Sequence, residues 1–173
     1  VKKHISNIVV VNDGSKDNTE SCAKSTGVPV LSHTINLGKG AAIRTGIEYA
    51  ITQGATQVVL IDADGQHDPE EIPKFIDALT RADMVFGYRQ FNVHMPFVLR
   101  AGNFGITLIT RLLFSIRIRD TQSGYRAFHT SVYPLIQWTA NDYSMESEMI
   151  ANVGRHNIRY AEVPIRTIYA DKY

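Results

Sequence analysis

Residues 57–71 read QVVLIDADGQHDPEE. A run of apolar, β-branched residues stops abruptly, and oxygen-bearing side chains follow on alternate positions: Asp62, Asp64, Gln66 and Asp68. The run has the length of a strand rather than a helix, and its continuous apolarity predicts burial on both faces, as in a parallel sheet. The end of the stretch has a separate meaning. Asp68, Pro69 and Glu71 have the pattern of an N-cap, a proline at the first helical position and a capping-box glutamate, so a helix is predicted to start there. Capping does not explain Asp62, Asp64 or Gln66, which lie upstream. An EF-hand loop is excluded as well, because His67 stands where that loop needs glycine and Pro73 where it needs glutamate. What remains is a hard-cation site of carboxylate and amide oxygens, the kind that Mg²⁺ or Mn²⁺ shares with substrate phosphates. Taken alone, an Asp-x-Asp turn is a weak signal.

The flanking sequence supplies a frame for it. Apolar runs at 7–11, 28–31 and 83–87 read as three more strands. Between them, Ile43, Ile47, Ala50 and Ile51 share one helix face, as do Ile72, Phe75, Ile76 and Leu79. Strands alternating with helices predict a doubly wound α/β sheet, in which ligands bind at the carboxyl ends of the strands. Asp13, in VVVNDGSKDNTE, occupies a second such end, where an acceptor can take a hydrogen bond from a base or ribose; its alternative is a turn residue. Asp17 and Glu20 are expected to cap the helix that follows. NLGKGAAIRTG is neither a P-loop nor a dinucleotide fingerprint, since Ile43 takes the place of the third glycine. A helix N-terminus beside Lys39 still favours a nearby phosphate.

The second half has a different texture. Residues 97–116, FVLRAGNFGITLITRLLFSI, are almost wholly apolar apart from Arg100, Asn103 and Arg111. On a single helix, Arg100 and Arg111 lie roughly 20° apart around the axis and about 16 Å along it. An apolar segment with two arginines on one face suits a lipid tail beside a phosphate; a core helix with snorkelling arginines is the alternative. A loop over 119–128, a helix around 143–153 and a strand near 160–165 are predicted next. His67 and His94 read as loop histidines, and Glu146 and Glu148 as solvated helix surface, with acceptor contact as the alternative.

A chain of 173 residues is long enough for one domain with a sizeable core. Its net charge of +1 gives no reason to expect a nucleic-acid partner. Cys22 is the only cysteine, which fits a reducing compartment, and no run of about 18 apolar residues predicts a membrane span. The chain opens on Val1, and a piece of a longer protein is expected.

The segments VVNDGS, NLGKGAAIRTGIEYA, LIDADGQHDPEEI, MPFVLRAGN, DTQSGYRAF and EVPIRTIY occur in order along nearly the whole chain. Together they resemble the family-2 glycosyltransferases with the GT-A fold, a Rossmann-like, mainly parallel sheet with flanking helices. The nearest branch is the polyprenyl-phosphate sugar synthases. The resemblance implies a single catalytic domain over 1–173, binding the nucleotide sugar through 1–90 and the acceptor through 91–173. It implies inverting transfer of a sugar from a nucleotide-diphosphate donor, assisted by Mg²⁺ or Mn²⁺. Asp62, Asp64 and Gln66 would hold the metal and diphosphate, with Asp64 catalytic; Asp13, Lys39, Arg44 and Asp62 would serve the nucleotide sugar. Arg100, Arg111 and Arg126 would hold the phosphate of a polyprenyl acceptor. Asp120 would orient or accept from the nucleophile, or else be a turn residue. Association with a membrane surface, at its cytoplasmic face, follows from such an acceptor, and the branch often carries C-terminal membrane segments, which would lie beyond Tyr173. The rival readings are a saccharide acceptor and a non-catalytic nucleotide-sugar binder. Relatives of this kind begin with a central strand that has no counterpart before NIVVVNDGS. About 25–35 residues are therefore expected to be missing, and the sheet to lack that strand.

Overall fold

The computed structural model describes residues 1–89, 116–166 and 168. The four apolar runs are strands: β1 (Val10–Asn12), β2 (Val30–Ser32), β3 (Gln57–Leu60) and β4 (Met84–Arg89). Two more follow, β5 (Arg126–His129) and β6 (Tyr160–Ile165). The helices are α1 (Thr19–Ser25), α2 (Lys39–Thr52), α3 (Ile72–Leu79), α4 (Tyr133–Ile136) and α5 (Ser144–Arg155). β1 and β2 pair in parallel as one sheet, and the others form a second sheet in the order β3-β5-β4-β6. β3, β4 and β6 run the same way, and β5 runs against them. Among the described residues no strand joins β1 to β3; α2 packs on both and spans the two sheets.

Alternation along the strands divides the core. Met84 and Phe86 of β4 face one side with Phe128, Ile47 of α2, and Met145, Met149 and Ile150 of α5. Val85 faces the other side with Ala127 and with Ile72, Phe75 and Leu79 of α3. Helices therefore cover both faces of the four-stranded sheet, as the doubly wound reading requires.

One segment departs from expectation. Residues 126–128, read as loop, are the antiparallel strand between β3 and β4. A charged residue broke the apolar pattern, yet Arg126 is 2% exposed and its guanidinium lies 5.5 Å from the ring centroid of Phe86. This strand also places the two halves of the chain in one sheet.

The helix start at Asp68 is as anticipated. Its carboxylate accepts the Glu70 amide at 3.0 Å, Pro69 opens a short turn, and α3 continues from it. Glu71 instead turns into the core and pairs with Lys74. Asp68→Ala is expected to lower unfolding stability by about 1 kcal/mol, seen as a lower urea midpoint with an unchanged slope. An unchanged midpoint would show that the cap contributes nothing.

Candidate active site at the carboxyl ends of the strands

Asp62 and Asp64 follow directly on the end of β3. The Asp62 backbone N–H donates to Nδ1 of His67 at 3.1 Å, which curls the segment back on itself. Gly65 turns the chain with φ of 81°, and Oδ1 of Asp64 accepts the Gln66 amide at 2.9 Å. His67 rests on the ring of Tyr125, which in turn stacks on Phe75. Burial holds the His67 pKa below its ordinary value, with Lys39 and Arg89 acting in the same direction and Asp62 and Asp64 against it. A neutral ring that accepts at Nδ1 carries its proton on Nε2. His67 is thus a loop histidine, as its sequence context suggests, and one whose contacts hold the site in shape.

Lys39 opens α2 and reaches the same place. Its ammonium lies 3.0 Å from Oδ2 of Asp62 and 2.9 Å from Oε1 of Glu146. Burial pushes its pKa down, but the two carboxylates outweigh that and raise it, so Lys39 is charged. Asp13 meets the same helix start from the β1 side. It accepts the amides of Leu37 and Gly38 at 2.9 and 2.8 Å and the ring of His33 at 2.7 Å. Burial raises the Asp13 pKa, yet these hydrogen bonds leave it below the ordinary value. Both Asp13 oxygens therefore already hold protein donors, where a contact to a base was expected. A cleft of about 580 Å³ opens beside it at the ends of β1 and β2, lined in part by Asn12, Ser15, Ser32 and His33.

Three expected positions fall elsewhere. Arg126 does not face an acceptor site: its guanidinium donates to the carbonyls of Thr121, Ser123 and Glu146 inside the core. Asp120 is 1% exposed and clamped by Arg89, Nε to Oδ2 at 2.7 Å and a terminal nitrogen to Oδ1 at 3.1 Å. It also accepts the Gln122 amide at 3.1 Å, so it is a buried turn residue and not one placed to accept a proton. Arg44 points to the 138–141 segment, 3.4 Å from the Trp138 carbonyl and from Oδ1 of Asn141. Arg100, Arg111 and the predicted helix over 97–116, apart from Ile116, lie outside the described residues, as does His94.

Glu146 and Glu148 are not solvated surface. Glu146 is 7% exposed, and Glu148 accepts the Thr139 and Ala140 amides at 2.6 and 3.3 Å. A signal for Glu146 was present in its spacing: with Met149, Ile150 and Val153 it completes an i, i+3, i+4, i+7 stripe that faces inward.

The donor set suits a hard cation. Among the described residues, Oδ1 of Asp62 and Oδ2 of Asp64 carry no hydrogen bond, and Gln66 is exposed beside them. No group of three or more His, Cys, Asp or Glu side chains placed to hold a metal ion by themselves occurs among the described residues. A cation here would take the two carboxylates and Gln66, completing its shell from water and substrate phosphate, as Mg²⁺ and Mn²⁺ commonly do.

The sequence profile of Glycosyl transferase family 2 matches residues 3–134. A UDP-N-acetylglucosamine–dolichyl-phosphate N-acetylglucosaminyltransferase of Methanococcus voltae is 35% identical over 190 residues, covering 95% of this chain and 76% of that one. An undecaprenyl-phosphate mannosyltransferase of Micrococcus luteus is 30% identical over 172 residues, covering 92% and 71%. Among solved structures, the glucosyl-3-phosphoglycerate synthase of Mycobacterium tuberculosis, in complex with Mn²⁺, uridine diphosphate and glucosyl-3-phosphoglycerate, superposes with a TM-score of 0.68 at 19% identity. That match covers 98% of this chain, which spans 62% of the synthase's length.

Proposed function

The chain belongs to glycosyl transferase family 2, in its polyprenyl-phosphate branch, and has the GT-A fold; from that premise we propose that it transfers a sugar, with inversion, from a nucleotide-diphosphate donor to a polyprenyl phosphate. The observation that carries this reading is the meeting of Asp62 with Lys39 just past the end of β3, with the exposed carboxylate of Asp64 two residues on. Asp62, Asp64 and Gln66 would hold a divalent cation, Mn²⁺ or Mg²⁺. Such a cation, when bound, neutralises charge growing on the departing diphosphate. The residues of the chain do the rest. Lys39 supplies a fixed positive charge beside the diphosphate, already oriented before the donor arrives. His67 holds the Asp62 backbone N–H, and the absence of a side chain at Gly124 leaves room for the Asp62 carboxylate. The relatives named above act on dolichyl and undecaprenyl phosphate, and a phosphate nucleophile is ionised near neutral pH. No general base is then required, which agrees with the burial of Asp120. Arg100 and Arg111 remain the residues proposed to hold the acceptor phosphate, at the cytoplasmic face of a membrane. No helix among the described residues is long and apolar enough to cross one.

The test is a transfer assay with several labelled nucleotide sugars and Mn²⁺, offering a short polyprenyl phosphate and, separately, a saccharide. Label entering the lipid fraction is the expected result. Transfer to the saccharide alone, or donor binding with neither transfer nor hydrolysis, would overturn the reading.

A further inference from the structure

Lys39 is held by carboxylates from two distant parts of the chain. Asp62 follows β3, and Glu146 comes from the first turn of α5. The place of Glu146 is fixed from within. Its neighbour Met145 is in the core, and the Arg126 guanidinium donates to the Glu146 carbonyl at 3.2 Å. Above the pair, the Tyr143 ring lies 5.4 Å from the Lys39 nitrogen. A carboxylate this deeply set is costly unless it is paired. Its side-chain ion-pair partner is Lys39, whose ammonium would otherwise rest wholly on Asp62.

We propose that Glu146 is a positioning residue for the cation site. It holds the Lys39 ammonium between two carboxylates, so that Asp62 keeps an oxygen for the cation while Lys39 stays beside the diphosphate. This rests on the reading of Asp62 and Asp64 given above. Arg126 then has its explanation as well: it anchors the turn that carries Glu146.

The experiment measures Mn²⁺ affinity by electron paramagnetic resonance without nucleotide, for the wild type, Glu146→Gln, Lys39→Met, the double variant and Asp64→Asn. Glu146→Gln is expected to bind Mn²⁺ about tenfold more weakly, because Lys39 then competes for Asp62. Lys39→Met should bind at least as tightly as the wild type. The double variant should match Lys39→Met, since Glu146 acts only through Lys39. An equal loss from Glu146→Gln in both backgrounds would reveal a long-range charge effect and overturn the proposal, as would no loss at all. Asp64→Asn separates the two levels. If it loses Mn²⁺ while Glu146→Gln does not, only the role of Glu146 fails; if it binds like the wild type, the site reading fails with it. Should Glu146→Gln not fold by circular dichroism, Lys39→Met decides, and weakened Mn²⁺ binding there overturns the proposal.

Discussion

Asp64→Ala is expected to lower metal-dependent sugar transfer by at least about a thousandfold, equivalent to roughly 4 kcal/mol of transition-state stabilisation. The side chain is exposed at the end of β3, and its one hydrogen bond among the described residues is the local one from the Gln66 amide. Removing it therefore leaves the core untouched, and the thermal midpoint should move little. The catalytic loss arises because one of two carboxylates offered to the cation disappears, and the diphosphate loses its means of charge neutralisation. Activity within a few-fold of wild type, in a folded variant, would remove Asp64 from the chemistry.

Gly124→Ala is expected to lower turnover by about a hundredfold, for a geometric reason. A Cβ at Gly124 would collide with the Asp62 carboxylate and lie 2.8 Å from its Cγ. Gly124 has no left-handed φ, so alanine brings no backbone strain there. The new methyl must therefore act by displacing the Asp62 side chain, which is part exposed and is pulled from its ion pair with Lys39 as it moves. The expected signature is lost turnover and weakened Mn²⁺ binding with a nearly unchanged thermal midpoint. Wild-type turnover would show that the Asp62 orientation does not matter. A collapsed midpoint would show that the glycine is there for packing alone.

The sheet was legible where one physical rule governed a stretch. β3 and the Asp68 start declared themselves through apolar continuity and capping chemistry. α5 and β6 were placed within two residues by spacing alone. β5 was not, because its inward-facing charge is satisfied by carbonyls that only the folded chain brings near. The same reason hides the partners of Glu146 and Asp120: each carboxylate is buried against a cation at least 31 positions away, and although the helical spacing of Glu146 signals burial, no local pattern records such a partner. His67 lies in a loop as read, but its acceptance of the Asp62 N–H is a contact that composition does not betray. Arg126 was misplaced by the resemblance itself, which carried a residue type to a position whose side chain points inward.

The most direct test of the cation-diphosphate site is anomalous diffraction from crystals of the protein grown with Mn²⁺ and a nucleoside diphosphate. An anomalous peak within bonding distance of Asp62 and Asp64, bridged to the diphosphate with Lys39 alongside, is the expected result. A fully occupied Mn²⁺–diphosphate complex elsewhere on the chain, with Asp62 and Asp64 uninvolved, would contradict it.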